Sequence, residues 1–120
     1  MRGKAARRRA ERAGRRAELL AILFLGLKFY RPVAWRRRTP VGEIDLVVRR
    51  GRVLAVVEVK RRADLADAAH SIGPRQRARV ARAADWLVGA RRDLARLDRR
   101  YDVVLVAPGR WPLHLKDAWR

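Results

Sequence analysis

An α/β domain built on a mixed β-sheet is the fold class that the sequence predicts, and three observations lead there. Segments of helical and strand periodicity come in the order helix, strands, helix, strands. No internal repeat or low-complexity linker interrupts them. The 120 residues are 49% apolar, enough for one modest core and too apolar for a disordered tail.

Residues 1–12, MRGKAARRRAER, read as a basic N-terminal arm ahead of a single domain over 13–120. A helix follows to about Lys28. Along it Ala13, Ala17, Leu20, Phe24 and Leu27 recur at i, i+4, i+7 spacing, which predicts a stripe laid on the core. Pro32 breaks the helix and pushes Arg31 toward the β region, so YRPVAWRR reads as a short extended segment. Val41–Arg49 and Val53–Lys60 alternate well enough to be strands, joined across RRGR with Gly51 taking the turn's unusual dihedral. ADLADAAHSIG reads as a loop or short helical turn. Pro74 suits the first turn of a second long helix, to about Ala90, with Val80, Ala84 and Leu87 as its apolar face. YDVVLVA is a strand, PGR a turn, and WPLHLKDAW a last strand with a stub.

The charge balance narrows the function. Against 31 Lys and Arg stand 12 Asp and Glu, a formal net charge of +19. A fold tolerates that self-repulsion most readily when its partner is a polyanion. Nucleic acid is the first candidate and an anionic membrane surface the second. Nearly all the cations are Arg, which forks onto phosphate and stacks on bases, although a GC-rich genome produces the same bias. The absence of Cys excludes disulfide scaffolds and thiolate metal sites and fits a cytoplasmic location. The two His, His70 and His114, stand in no ligand spacing and read as ordinary residues.

LLAILFLGLKFY, behind a basic segment, has the outline of a signal or anchor. Its unbroken apolar part, Leu19 to Leu27, is short of the roughly 20 residues that a spanning helix needs. No small-residue cleavage site follows it, so the expectation is a core helix and no membrane.

The chemistry gathers in VGEIDLVVRRGRVLAVVEVKRR, Val41 to Arg62. Side chains alternate across a strand, so Glu43, Asp45 and Val47 share a face, as do Leu54, Val56, Glu58 and Lys60. A turn centred on Arg50 and Gly51 pairs Arg49 with Arg52. Glu43 then faces Glu58, and Asp45 becomes a diagonal neighbour of Glu58 within reach of one shared ion. An odd-length loop would flip this parity. Like charges across a sheet repel, and a divalent cation would relieve them; Mg²⁺ is usually held by one or two carboxylates plus substrate phosphate. Lys60 would point at the same spot, placed to hold an attacking water or steady the pentacovalent charge. The plainer reading is a half-exposed hairpin whose wet face carries Glu and Lys for solubility.

GEIDLVV followed by VVEVKRR closely resembles the signature of the YraN-type family of small bacterial predicted endonucleases, relatives of the Holliday-junction resolvases in the PD-(D/E)-x-K superfamily. Glu18, Ala21, Phe24 and Leu25 resemble the family's first helix, and PRQRARVARAADWL its second, with Arg75 in place of Lys and Gln76 retained. RYDVVLV and LHLKDAW resemble its closing strands, so the likeness covers roughly residues 14–119. Ala17 stands where the family usually has Gly, and the loop between Lys60 and Gln76 is shorter and lacks a Gly-x-Pro element. The resemblance implies a restriction-endonuclease-like core, with a mixed sheet flanked by helices. It further implies Asp45 and Glu58 as ligands of Mg²⁺ or Mn²⁺, Lys60 as catalytic lysine, Glu18 as a further metal-binding acid, and Gln76 as an orienting group. Read from the residues alone, Glu18 is an exposed helical Glu beside Arg15. A homodimer is also what junction-cutting relatives suggest.

Arg75, Arg79 and Arg82 fall on one helical stripe that Trp86 continues, an interleaving that suits a phosphate backbone with a stacked base. Arg62, the N-terminal Arg run and Trp35–Arg38 enlarge the positive field. Such contacts carry affinity without sequence information. The function expected is a metal-dependent endonuclease acting on DNA phosphodiester bonds at branched or flap structures. The alternative is a nuclease-fold module that binds nucleic acid and cleaves nothing.

Overall fold

The computed structural model describes residues 2–61 and 72–119. Its elements are α1 (Arg2–Leu27), β1 (Arg31–Thr39), β2 (Gly42–Arg50), β3 (Val53–Arg61), α2 (Pro74–Ala90), β4 (Asp98–Val106) and β5 (Leu113–Trp119). A short 3₁₀ turn, Arg92–Leu94, leads into β4. The five strands form one mixed sheet in the order β1-β2-β3-β4-β5, parallel between β3 and β4 and antiparallel elsewhere. Such a parallel neighbour needs a crossover, and α2 lies within it. The architecture agrees with the α/β class expected and is compatible with a restriction-endonuclease-like core. Among the described residues no helix is long and apolar enough to cross a membrane.

The two sheet faces are covered by different helices, as the alternation of strand side chains dictates. Ala21 and Leu25 of α1 pack with Leu46, Val48, Ala55, Val57 and Val104. Val80, Ala83, Ala84 and Leu87 of α2 pack on the other face, against Val47, Leu54, Val56, Val103 and Leu105.

Three expectations change. Residues 2–12 are helical and continue into α1, so the basic arm forms the first turns of one 26-residue helix. The predicted apolar stripe is only partly the buried one: Ala17 is buried and Phe24 packs partly buried against the core, but Leu20 and Leu27 are 50% and 70% exposed, and Ala21 and Leu25 take the inward positions instead. The β2–β3 register also differs by two residues. Arg50 pairs with Val53 across a tight turn of Gly51, at φ +60°, and Arg52. Parity survives, because a shift of two keeps every side chain on its face.

α1 ends in a Schellman motif: the Tyr30 N–H donates to the Leu25 carbonyl and the Phe29 N–H to the Gly26 carbonyl. Phe29 holds the left-handed position, φ +69°, that usually falls to Gly. Tyr30 and Leu25 then close the motif with a buried contact.

The closing strands are pinned by a buried polar cluster. Asp102, fully buried, accepts two hydrogen bonds of 2.8 Å from Arg100 and one of 3.0 Å from the Asp117 N–H. His114 Nε2 lies 2.7 Å from the same carboxylate, and its Nδ1 lies 2.7 Å from Lys28 Nζ. His114 is therefore a satisfied structural residue, in keeping with its plain reading. His70 lies outside the described residues.

Candidate active site

β2 and β3 stop pairing at Leu46 and Val57, and the acidic residues sit just beyond that point. Continuing the register brings Asp45 directly opposite Glu58, where a diagonal relation was expected. The Val59 N–H, instead of completing the ladder, donates to Asp45 Oδ2 at 3.0 Å. β1 yields at the same level. Its pairing with β2 passes from Trp35↔Leu46 to Arg37↔Ile44, and the intervening Arg36 adopts φ +51°. β2 and β3 thus part at Asp45 while β1 and β2 keep one register on either side of it, which frees the Asp45 and Glu58 side chains from a continuous ladder.

Glu58 is 3% exposed. Burial first, then a hydrogen bond with Asp45 and that residue's like charge, push its carboxyl up to about 9; Lys60 opposes the shift and Glu18 adds to it. Glu58 is thereby favoured in its protonated form at neutral pH. Lys60, two residues on and half-buried, contributes the nearby positive charge.

Glu18 corrects its plain reading, for it is only 7% exposed. Its Oε1 accepts hydrogen bonds from Trp35 Nε1, at 2.9 Å, and from Arg36 Nε. These two partners were not legible in the sequence as anything but part of a basic run. Glu43 is exposed and pairs across to Arg38 of β1, so it does not face Glu58 as expected. The Thr39 hydroxyl closes the β1–β2 turn by donating to the Gly42 carbonyl at 2.6 Å. Gln76 lies half-buried in the first turn of α2, with no hydrogen bond to the carboxylates among the described residues. Arg62 lies outside the described residues. Arg75, Arg79 and Arg82 are exposed on α2, and Trp86, 37% exposed, lies beneath the Arg37 guanidinium at 5.7 Å.

Metal fit follows from the donors. Asp45 and Glu58 offer hard oxygen atoms in mutual contact, a pair suited to Mg²⁺ or Mn²⁺ completed by phosphate and water. Glu18 is engaged elsewhere, and no group of three or more His, Cys, Asp or Glu suited to a metal occurs among the described residues.

Comparison with known proteins places the chain. The model of the family described as "Uncharacterised protein family UPF0102" matches residues 17–106. A UPF0102 protein of Parvibaculum lavamentivorans is 60% identical over 92% of this chain and 84% of its own length. Those of Maricaulis maris and Caulobacter vibrioides (strain NA1000 / CB15N) are 55% and 51% identical over 95% and 92% of this chain, and 90% and 88% of their own lengths. The matched span contains Glu18, the hairpin with Asp45, Glu58 and Lys60, and α2, and the chain belongs to the UPF0102 family.

Proposed function

We propose that the chain is a metal-dependent endonuclease that hydrolyses DNA phosphodiester bonds at branched or flap structures. The observation that carries this reading is the contact of Asp45 and Glu58 at the strand fork, with Lys60 beside them on a chain of net charge +19. A carboxyl pushed to about 9 in a largely apolar core weakens the fold, and such groups concentrate where chemistry requires them.

Asp45 and Glu58 would hold the ion, which when bound supplies positive charge to the phosphate and acidifies a water. Lys60 donates hydrogen bonds to the attacking water or to the phosphoryl oxygens as charge builds on them. The Val59 N–H fixes the Asp45 carboxylate, so its orientation is set before substrate arrives. Arg75, Arg79 and Arg82 hold the phosphate backbone, which carries no base information and leaves selection to the shape of the DNA.

A second reading, a binding module without turnover, is favoured by one observation: Glu18 is held by Trp35 and Arg36, leaving two carboxylates for the ion. One experiment separates the two. Labelled four-way junction, flap, linear duplex and single-stranded DNA are incubated with Mg²⁺, Mn²⁺ or EDTA and with wild type, Asp45→Asn or Lys60→Ala. Cutting that needs metal and is lost in both variants is the expected result. Binding by all three proteins without cutting in any metal would leave the module.

A further inference from the structure

α1 buries a glutamate and exposes leucines. Leu20, Leu23 and Leu27 stand 50%, 60% and 70% exposed while Glu18 is 7% exposed. A lone surface leucine is ordinary, but a contiguous set marks a contact surface. These three form one wall of a groove of about 860 Å³, and the segment between β4 and β5 forms the other. Trp111 in that segment is 78% exposed, its ring centroid 6.4 Å from that of Phe24 on the opposite wall. Arg16, Arg61 and Arg110 complete the lining, which holds no acidic residue among those described.

The groove and the candidate site lie at the same end of β3 but on opposite faces of the sheet. Arg61 lines the groove on the α1 face, whereas Glu58 and Lys60 alternate to the face that Leu54 and Val56 present to α2. An occupant of the groove must be apolar on its faces and anionic at its edge. A second copy of this chain fails the charge requirement, since its own net charge is +19.

We propose that the groove seats unpaired nucleotides of a DNA strand leaving a duplex beside the candidate site. Bases lie against Trp111, Phe24 and the leucine wall, and phosphates on Arg16, Arg61 and Arg110. Every base presents a π-face, so stacking selects single strands without selecting sequence. The inference rests on the nuclease reading for the place of the duplex. It supplies what that reading lacks, a physical basis for preferring branches and flaps over plain duplex.

The test measures binding in EDTA, where nothing is cut. A short single-stranded oligodeoxynucleotide carrying 2-aminopurine, and the same strand in a blunt duplex, are titrated with wild type, Trp111→Ala and Leu23→Asn. Both replaced side chains are largely exposed, so neither change threatens the fold. Single-strand affinity should fall about 5- to 100-fold in Trp111→Ala, with loss of the 2-aminopurine quenching that stacking produces. Duplex affinity should stay within about twofold, as expected when phosphate contacts elsewhere are untouched. Equal loss for both DNAs, or no loss for either, would overturn the proposal. So would variants that bind DNA normally but no longer self-associate in light scattering, because the groove would then join copies of the chain. The two readings fail separately: the single-strand effect without cutting in any metal refutes the nuclease alone. Metal-dependent cutting with unchanged single-strand binding in Trp111→Ala refutes the groove alone.

Discussion

The carboxylate of Asp45 accepts a hydrogen bond from the backbone N–H of Val59 at 3.0 Å, across the point where β2 and β3 have ceased to pair. One side chain thereby serves the fold and the candidate chemistry together. Asn can still accept that bond, whereas Ala leaves a half-buried N–H without a partner. Asp45→Ala should therefore lower stability by about 1–2 kcal/mol and Asp45→Asn by little. Both should abolish metal-dependent cutting, and urea unfolding beside the cleavage assay separates the two roles.

Glu58→Gln should stabilise the protein as pH rises. The Glu58 carboxyl titrates near 9 when folded and near its ordinary 4.5 when unfolded, so over that range the unfolded chain binds fewer protons. Stability of the wild type consequently falls as pH climbs from about 4.5 toward 9. Gln, which does not titrate, removes that slope, with a gain of about 1–3 kcal/mol at pH 7 and none near pH 4. Thermal melts across that range would detect it, and a constant difference at all pH values would contradict the assigned shift.

Asp102 has the opposite sign. Burial alone would raise its carboxyl, but hydrogen bonds from His114, Arg100 and the Asp117 N–H outweigh that and hold it at about 2. Its contribution is complete above pH of about 4 and is lost as pH falls through about 2, roughly 2 kcal/mol in all. Acid unfolding of wild type should steepen in this window. In Asp102→Asn, less stable above that window because Arg100 loses its carboxylate partner, that component of the slope should be missing.

Phe29→Gly should raise stability by up to about 1 kcal/mol. The ring is 83% exposed, so little contact is lost, and the φ of +69° is one that Gly adopts without strain. A rise in melting temperature with unchanged DNA binding is the expected outcome.

Much of this was legible in the sequence because it rests on period and punctuation. Pro74 and the Val80–Ala84–Leu87 spacing located α2, and alternation put Asp45 and Glu58 together on the hairpin despite a wrong register. The register was missed because RRGR admits two turns of equal parity, and Gly51 can serve either. α1 was misread for a deeper reason. Its sequence is apolar around most of its circumference from Leu19 to Leu27, so periodicity could not say which stripe meets the sheet. The small residues Ala17 and Ala21 went inward with Leu25, allowing close approach to the sheet, while Leu19, Leu20, Leu23 and Leu27 stayed out. Glu18 followed the inward stripe to partners, Trp35 and Arg36, that only tertiary contact could reveal.

The continuity of α1 changes what its early arginines can do. At about 1.5 Å per residue, the turns from Arg2 to Arg16 form a stiff rod roughly 20 Å long, joined without a break to the helix that carries Glu18. A tether would sample all directions and hold DNA nearby without orienting it. A rod turns with the domain, so on the nucleic-acid reading its field would act as a vane that brings the molecule onto a polyanion in one attitude. Deleting one whole heptad from it should shorten the vane and leave its phase nearly intact, whereas removing two residues should swing the remaining charges to another side of the helix.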